Sequence, residues 1–151
     1  QGFDLDSEKM FPQYGLIEHC GLPLLLHCGR ELSGTFPERS SPQRLLEVKK
    51  HFPSLTLIAA HFGGFQLWDE VAECLLGQDI YLDTSFFFDF LPEGRVRELL
   101  LSHRGDRILF GTDFPLIDQK KDIEFLRRLE VPEQLKGRIF YENAKELLGG
   151  E

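Results

Sequence analysis

Short apolar runs alternate with longer amphipathic stretches along this sequence. Four of the runs are apolar almost throughout and predict strands, at 22–27, 55–60, 80–84 and 107–111. Each is followed by a stretch with apolar residues at helical spacing, at 41–51, 66–76, 92–102 and 118–129. Two further helices are predicted, at 7–20 and 132–148. Apolar strands that are each followed by a helix are typical of a parallel sheet covered on both faces. The pattern therefore predicts an α/β fold, either an open doubly wound sheet or part of a (β/α)8 barrel.

Composition is that of an ordinary globular domain, with 42% hydrophobic and 28% charged residues. No repeat, low-complexity segment or linker divides the sequence, so residues 1–151 are expected to form a single domain. No apolar run approaches the roughly 18 residues that a membrane-spanning helix needs, so we expect no membrane partner. The sequence does not begin with Met, and we expect it to be part of a longer protein.

Charge and cysteine content narrow the partners and the compartment. The formal net charge is −8, and the basic residues are scattered, which argues against nucleic acid as a partner. The three cysteines (Cys20, Cys28 and Cys74) are odd in number and form no C-x-x-C pair. A reduced, cytoplasmic setting is therefore expected.

Three residues that commonly bind metals follow the predicted strands. His27 ends the first apolar run, His61 ends the second, and Asp113 follows the fourth. In parallel α/β folds the carboxyl ends of the strands meet at one edge, where functional residues gather. Two imidazoles and a carboxylate suit Zn²⁺ or a similar ion, so the sequence predicts a divalent metal site, with zinc as the expected metal.

Each of these residues also has a structural interpretation. A histidine after an apolar strand is often simply packed and hydrogen-bonded, and His27 alone would favour that interpretation. His61 is followed by Gly63 and Gly64, which remove side-chain bulk beside it. Asp113 alone could cap a helix or form a turn. Their joint occurrence at successive strand ends favours the metal site.

Five blocks of the sequence, taken in order, resemble the second amidohydrolase family: LPLLLHCG, LIAAHFGG, IYLDTS, ILFGTDFP and YENAKELLG. The GTDFP block after a strand, with a later NAxxLL, is the most specific of them. The resemblance covers nearly the whole sequence. It implies a TIM (β/α)8 barrel and metal-dependent hydrolysis of small molecules, although some members decarboxylate aromatic or related acids instead.

The resemblance also implies roles for individual residues. His27 matches the histidine of the fifth barrel strand, usually a metal ligand. His61 matches the sixth-strand histidine, which either binds the metal or polarises the substrate and the activated water. Asp113 matches the eighth-strand aspartate, a ligand or a proton shuttle. Asn143 falls in the closing helix and is expected to be structural.

The family's first-strand H-x-H or E-x-H pair is absent from this sequence. Because a whole barrel takes about 250 residues, we expect this sequence to supply half of a TIM barrel, strands five to eight. Such a half would leave two sheet edges unpaired and an apolar face uncovered. We therefore expect either a homo-oligomer or association with the missing N-terminal half.

Three functions stay open: a metal-dependent hydrolase, a metal-dependent decarboxylase on the same scaffold, and a non-catalytic truncated barrel. A phosphate-binding protein is disfavoured because the glycine-rich phosphate motifs are absent. The loops at 30–40 and 86–90 are expected to set the substrate. Arg30 could hold a substrate carboxylate or lie on the surface. The phenylalanines of the second loop could line a pocket or pack as core: Phe86, Phe87, Phe88 and Phe90.

Overall fold

A four-stranded parallel sheet organises the chain, in strand order β1-β2-β3-β4. The computed structural model describes residues 2–32, 34 and 38–149. The strands are short: β1 Leu24–Leu26, β2 Leu57–Ala59, β3 Tyr81–Asp83 and β4 Ile108–Leu109. Each lies inside one of the four predicted apolar runs. Neighbours in sequence are therefore neighbours in the sheet, as in one half of a (β/α)8 barrel.

Helices connect and follow the strands. They are α1 Phe11–His19, α2 Pro42–His51, α3 Trp68–Cys74, α4 Glu93–Ser102, α5 Gln119–Arg128, α6 Glu133–Gly137 and α7 Asn143–Leu147. Side-chain hydrogen bonds cap the N-termini of two helices. The Ser41 hydroxyl accepts a hydrogen bond from the Arg44 N–H at the start of α2 (3.3 Å), and Asp118 accepts one from the Lys120 N–H at the start of α5 (2.9 Å). No helix among the described residues is long and apolar enough to span a bilayer.

The C-terminal region departs from the predicted single helix at 132–148. A π-helical segment, Arg138–Glu142, separates α6 from α7. Ile139 and Asn143 are fully buried there, and the Asn143 side chain donates to the carbonyls of Gly105 and Ile108 (2.9 and 2.8 Å). These contacts tie the segment to the start of β4, which also explains structurally the role expected for Asn143.

The two faces of the sheet differ in what covers them. One face carries Leu57, Ala59, Leu82 and Ile108, all fully buried and all part of the core that includes residues of α2 to α5. Leu25 pairs with Ile58, and Ile58 pairs with Tyr81, so these three side chains lie together on the opposite face of the sheet. We call it the open face. Leu25 is 60% exposed there, and Ile58 and Tyr81 are partly exposed. The open face is thus the more exposed side of strands β1 to β3.

Candidate functional site

Two imidazoles meet at the carboxyl ends of β1 and β2. His27 follows β1 and His61 follows β2, and the two strands pair in parallel. The Nδ1 atom of His27 lies 3.1 Å from Nε2 of His61. The His27 side chain is 42% exposed, whereas His61 is only 8% exposed. The carboxyl ends of β1 and β2 thus bring these two side chains into contact.

His61 is held by a network centred on Asp83, the last residue of β3. The His61 N–H donates to Asp83 Oδ1 (3.1 Å), and the Ser85 N–H donates to the same oxygen (2.9 Å). The Ser85 hydroxyl also contacts Asp83 Oδ1 and lies 3.0 Å from Nδ1 of the His61 ring. On its other side, the Trp68 indole N–H donates to the His61 carbonyl (3.1 Å).

The backbone at the site is strained. His61 and Phe62 have φ angles of 60° and 52°, and Asp113 has a φ of 63°. Non-glycine residues in this left-handed region cost of order 1–3 kcal/mol each and persist only where surrounding contacts impose the conformation. For Phe62 the imposing contact is the stacking of its fully buried ring on the Phe87 ring, with 4.2 Å between the centroids.

Asp113 lies apart from the imidazole pair. It is exposed and follows β4, two strands away from β2. Its charge reaches His27, as does that of Glu31, and both oppose the lowering of the His27 pKa. Burial is the main cause of that lowered pKa, and the nearby His61 adds to it. The lowered pKa favours the neutral form of His27, which is the form that can bind a metal.

The imidazole pair fits a divalent metal in part. With metal–nitrogen bonds of about 2.0–2.1 Å, two ligands of one tetrahedral ion lie about 3.4 Å apart, close to the observed 3.1 Å. Within residues 2–32, 34 and 38–149, however, no group of three His, Cys, Asp or Glu side chains is placed to hold an ion. The structure thus brings together two of the three predicted ligands and leaves Asp113 outside that pair.

Sequence reasoning missed Asp83 and Ser85. Asp83 lies in the third apolar run and Ser85 directly follows that run, in the block IYLDTS, so both occupy a strand end like the three predicted residues. The signal was the strand-end position itself. A carboxylate at a strand end, such as that of Asp83, can accept hydrogen bonds that hold a neighbouring histidine in place, as well as bind a metal.

The phenylalanines of the 86–90 loop divide between two roles. Phe86, Phe87 and Phe88 are all buried, with Phe87 against Phe62 and Phe88 stacked on Phe125. Phe86 and Phe90 stack on each other at 5.3 Å, and both contact Phe65. Phe86 and Phe65 also pack on the His61 ring, at 5.8 and 6.2 Å. We call Phe65, Phe86 and Phe90 the aromatic wall; its Phe90 is 40% exposed.

A cavity of about 680 Å³ lies against β1 and includes His27 in its lining. Phe3, Leu25, Glu31 and Arg39 also line it. Arg30 is exposed, and its N–H donates to the Phe65 carbonyl (3.0 Å). Of the loop expected to set the substrate, residues 33 and 35–37 lie outside the described residues.

Comparisons with solved structures agree with the barrel architecture. An uncharacterized TIM-barrel protein from Bordetella bronchiseptica is 22% identical, with a TM-score of 0.76 over 97% of this chain and 52% of the other. A 2,6-dihydroxybenzoate decarboxylase from Rhizobium is 18% identical, with a TM-score of 0.72 over 97% and 57% of the chains. A dihydroxybenzoic acid decarboxylase from Polaromonas sp. JS666, solved with bound manganese, is 18% identical, with a TM-score of 0.67 over 97% and 55%. The chain thus spans about half the length of these proteins.

Sequence comparison identifies the family. A search of curated proteins finds no significant match. The family model Amidohydro_2, described as Amidohydrolase, matches residues 1–150. The predicted resemblance and the predicted half-barrel are therefore confirmed, and the chain belongs to the amidohydrolase family.

Proposed function

We propose that this chain is the C-terminal half of a metal-dependent hydrolase that acts on a carbonyl-type or related bond of a small molecule. The observation that carries the proposal is the 3.1 Å approach of the His27 and His61 ring nitrogens at neighbouring strand ends. Membership of the amidohydrolase family supports it. The hydrolytic reaction and the small-molecule substrate are both part of what we propose.

In this function His27, His61 and Asp113 would hold a divalent cation, for which zinc suits the nitrogen and oxygen donors. When bound, such a cation supplies Lewis-acid activation of water and of a carbonyl oxygen. Asp113 is exposed, so its carboxylate can take up a proton and deliver it to a leaving group. His61 would serve either as a ligand or as the group that polarises the substrate.

Metal retention tests this assignment. The chain is purified without chelator, and its metal content is measured by elemental analysis. Since three ligands share one ion, we expect His27→Ala and Asp113→Ala to lose most of the bound metal. His19→Ala, which changes an exposed histidine on α1, is the matched control and should retain it. Unchanged metal in both ligand variants would contradict the assignment.

A decarboxylase on the same scaffold is the second candidate. The aromatic wall beside His61 favours it, because its exposed ring, Phe90, suits stacking against a flat aromatic substrate. Two of the similar solved structures are decarboxylases of dihydroxybenzoates. Release of CO₂ from an aromatic acid, without a hydrolytic product, would distinguish this reaction from hydrolysis.

A non-catalytic truncated barrel is the third candidate. It is favoured by the position of Asp113 outside the imidazole pair. A chain that binds neither zinc nor manganese, even with the site residues intact, would support this candidate against both enzymes.

The open face supports a proposal about partners. Leu25 is 60% exposed on β1, which is an edge strand of the sheet. Exposed edges and apolar patches are commonly removed by pairing. We expect the chain to dimerise or to bind a separate N-terminal half, and light scattering at micromolar concentration tests this. A stable monomer of 17.4 kDa that unfolds cooperatively would contradict it.

The compartment is also a proposal. Cys20, Cys28 and Cys74 are all free, and Cys28 is fully buried. Free thiols suit a reducing compartment such as the cytoplasm.

A further inference from the structure

We infer that Asp83 and Ser85 fix the tautomer of His61, holding its proton on Nδ1 and leaving Nε2 bare and directed at His27. The two residues act through His61 and are therefore positioning residues. The functional consequence of this inference rests on the proposed function, in which His61 either binds the metal or polarises the substrate; the tautomer decides between these two roles. Its structural content depends only on the hydrogen bonds.

The argument begins at Asp83 Oδ1, which faces three donors. The main-chain N–H groups of His61 and Ser85 point at this oxygen from 3.1 and 2.9 Å. An oxygen that already receives two N–H groups acts as an acceptor. The single hydroxyl proton of Ser85, which also contacts Oδ1, is therefore donated to Asp83.

The direction at Ser85 then determines the direction at the His61 ring. Having donated its proton, the Ser85 hydroxyl oxygen can only accept, and it lies 3.0 Å from His61 Nδ1. The other partner of Nδ1 is the Ser85 carbonyl oxygen at 3.3 Å, which also can only accept. Both groups that face Nδ1 are acceptors, so Nδ1 carries the proton. Ser85 is 5% exposed and His61 8%, so little water can compete for these positions.

A neutral imidazole has one ring proton, so Nε2 of His61 carries a lone pair. Its neighbour in the metal-free chain is His27 Nδ1, which must then be the donor across the 3.1 Å contact. The donors run in one direction, from His27 to His61 to Ser85 to Asp83. A bare Nε2 can bind a cation but cannot donate to a developing oxyanion, so the network selects the ligand role for neutral His61.

Nitrogen NMR of the metal-free chain tests this directly, because a protonated ring nitrogen and a bare one have widely separated ¹⁵N shifts. We expect the neutral His61 ring to carry its proton on Nδ1, opposite to the preference of a free histidine side chain. Ser85→Ala removes the nearer acceptor and should move part of the population to the Nε2–H form. Ser85→Thr keeps the hydroxyl and should restore the original tautomer. Ser102→Ala, which removes an exposed hydroxyl at the end of α4, should change nothing.

A wild-type His61 ring protonated on Nε2 would overturn the inference, and this result does not depend on any variant folding. An Ser85→Ala spectrum identical to the wild type would overturn the role of Ser85. Titration with Zn²⁺ separates the two proposals. If both hold, Ser85→Ala should weaken zinc binding by about 10- to 100-fold, as for other groups that orient a metal-binding histidine. A wild-type chain that shows the Nδ1–H tautomer but binds no Zn²⁺ would refute the metal site and leave the tautomer assignment intact.

Discussion

Asp122 lies in the first turn of α5 and is only 2% exposed, although it carries a carboxyl group. Burial and, to a smaller extent, the neighbouring carboxylate of Asp89 together raise its pKa from 3.8 to about 6, while Lys121 opposes the change. The folded chain therefore binds this proton more tightly than the unfolded chain does. It follows that stability is greatest below the unfolded pKa and falls as pH rises from about 3.8 to about 6.

The size of the effect has an upper bound. A shift of that size corresponds to about 3 kcal/mol at 1.36 kcal/mol per unit. Since Lys121 also forms an ion pair with Asp89 (2.7 Å) and water screens this surface, we expect about 1–2 kcal/mol. Asp122→Asn removes the titration. At pH 7 it should therefore raise the free energy of unfolding by that amount, whereas near pH 4 it should match the wild type.

Urea unfolding at a series of pH values measures the difference. Glu124→Gln is the matched control, because it neutralises an exposed acid on the same helix. It should leave the pH dependence of stability almost unchanged. An Asp122→Asn variant that is less stable than the wild type at pH 7 would show that ionised Asp122 is stabilising and would refute the reasoning.

Two buried polar side chains give further predictions. His103 accepts a hydrogen bond from the Gly77 N–H (3.2 Å) and donates from Nε2 to the Ile80 carbonyl (3.0 Å), and burial lowers its pKa below 6.5. Its neutral form is thus the stabilising one, so stability should be complete above about pH 6.5 and decrease as pH falls through the lowered pKa. Unfolding measurements should find this acid-side loss absent in His103→Gln, which should itself be about 1–3 kcal/mol less stable at pH 7. Asn143→Ala removes the hydrogen bonds to the buried carbonyl of Ile108 and the partly buried carbonyl of Gly105, and it should cost about 2–4 kcal/mol in the same assay. A loss under 0.5 kcal/mol, the size typical of surface changes, would contradict its structural role.

The sequence predicted the parts of the fold that depend on local patterns. Apolar runs located all four strands, and Ser41 located the start of α2. The pairing of His27 with His61 was predictable because consecutive strands of a parallel sheet are neighbours. The distance of Asp113 from this pair was harder to predict. It follows β4, which is two strands from β2, and each strand adds about 4.8 Å of separation.

Other features depend on contacts between distant residues. The π-helical segment before Asn143 follows from hydrogen bonds to Gly105 and Ile108, which no periodicity in 132–148 reveals. The orientation of the His61 ring follows from Asp83 and Ser85, more than twenty positions along the chain. The strand-end positions predicted the correct region of the molecule. Residue type alone, however, pointed to the histidines and not to Asp83 and Ser85, which hold His61 in place.

The stacking of Phe62 on Phe87 has a consequence for local opening. Phe62 follows His61 directly, and its ring is fixed inside the core between two strand-end loops. His61 therefore cannot leave its position through a small loop fluctuation, because the adjacent ring would have to leave the core with it. Regions of this kind open only together with the elements they pack on, so their amide hydrogens exchange as slowly as those of the sheet. We therefore expect His61 to open only together with β2 and β3, so that its position lasts as long as those strands stay folded.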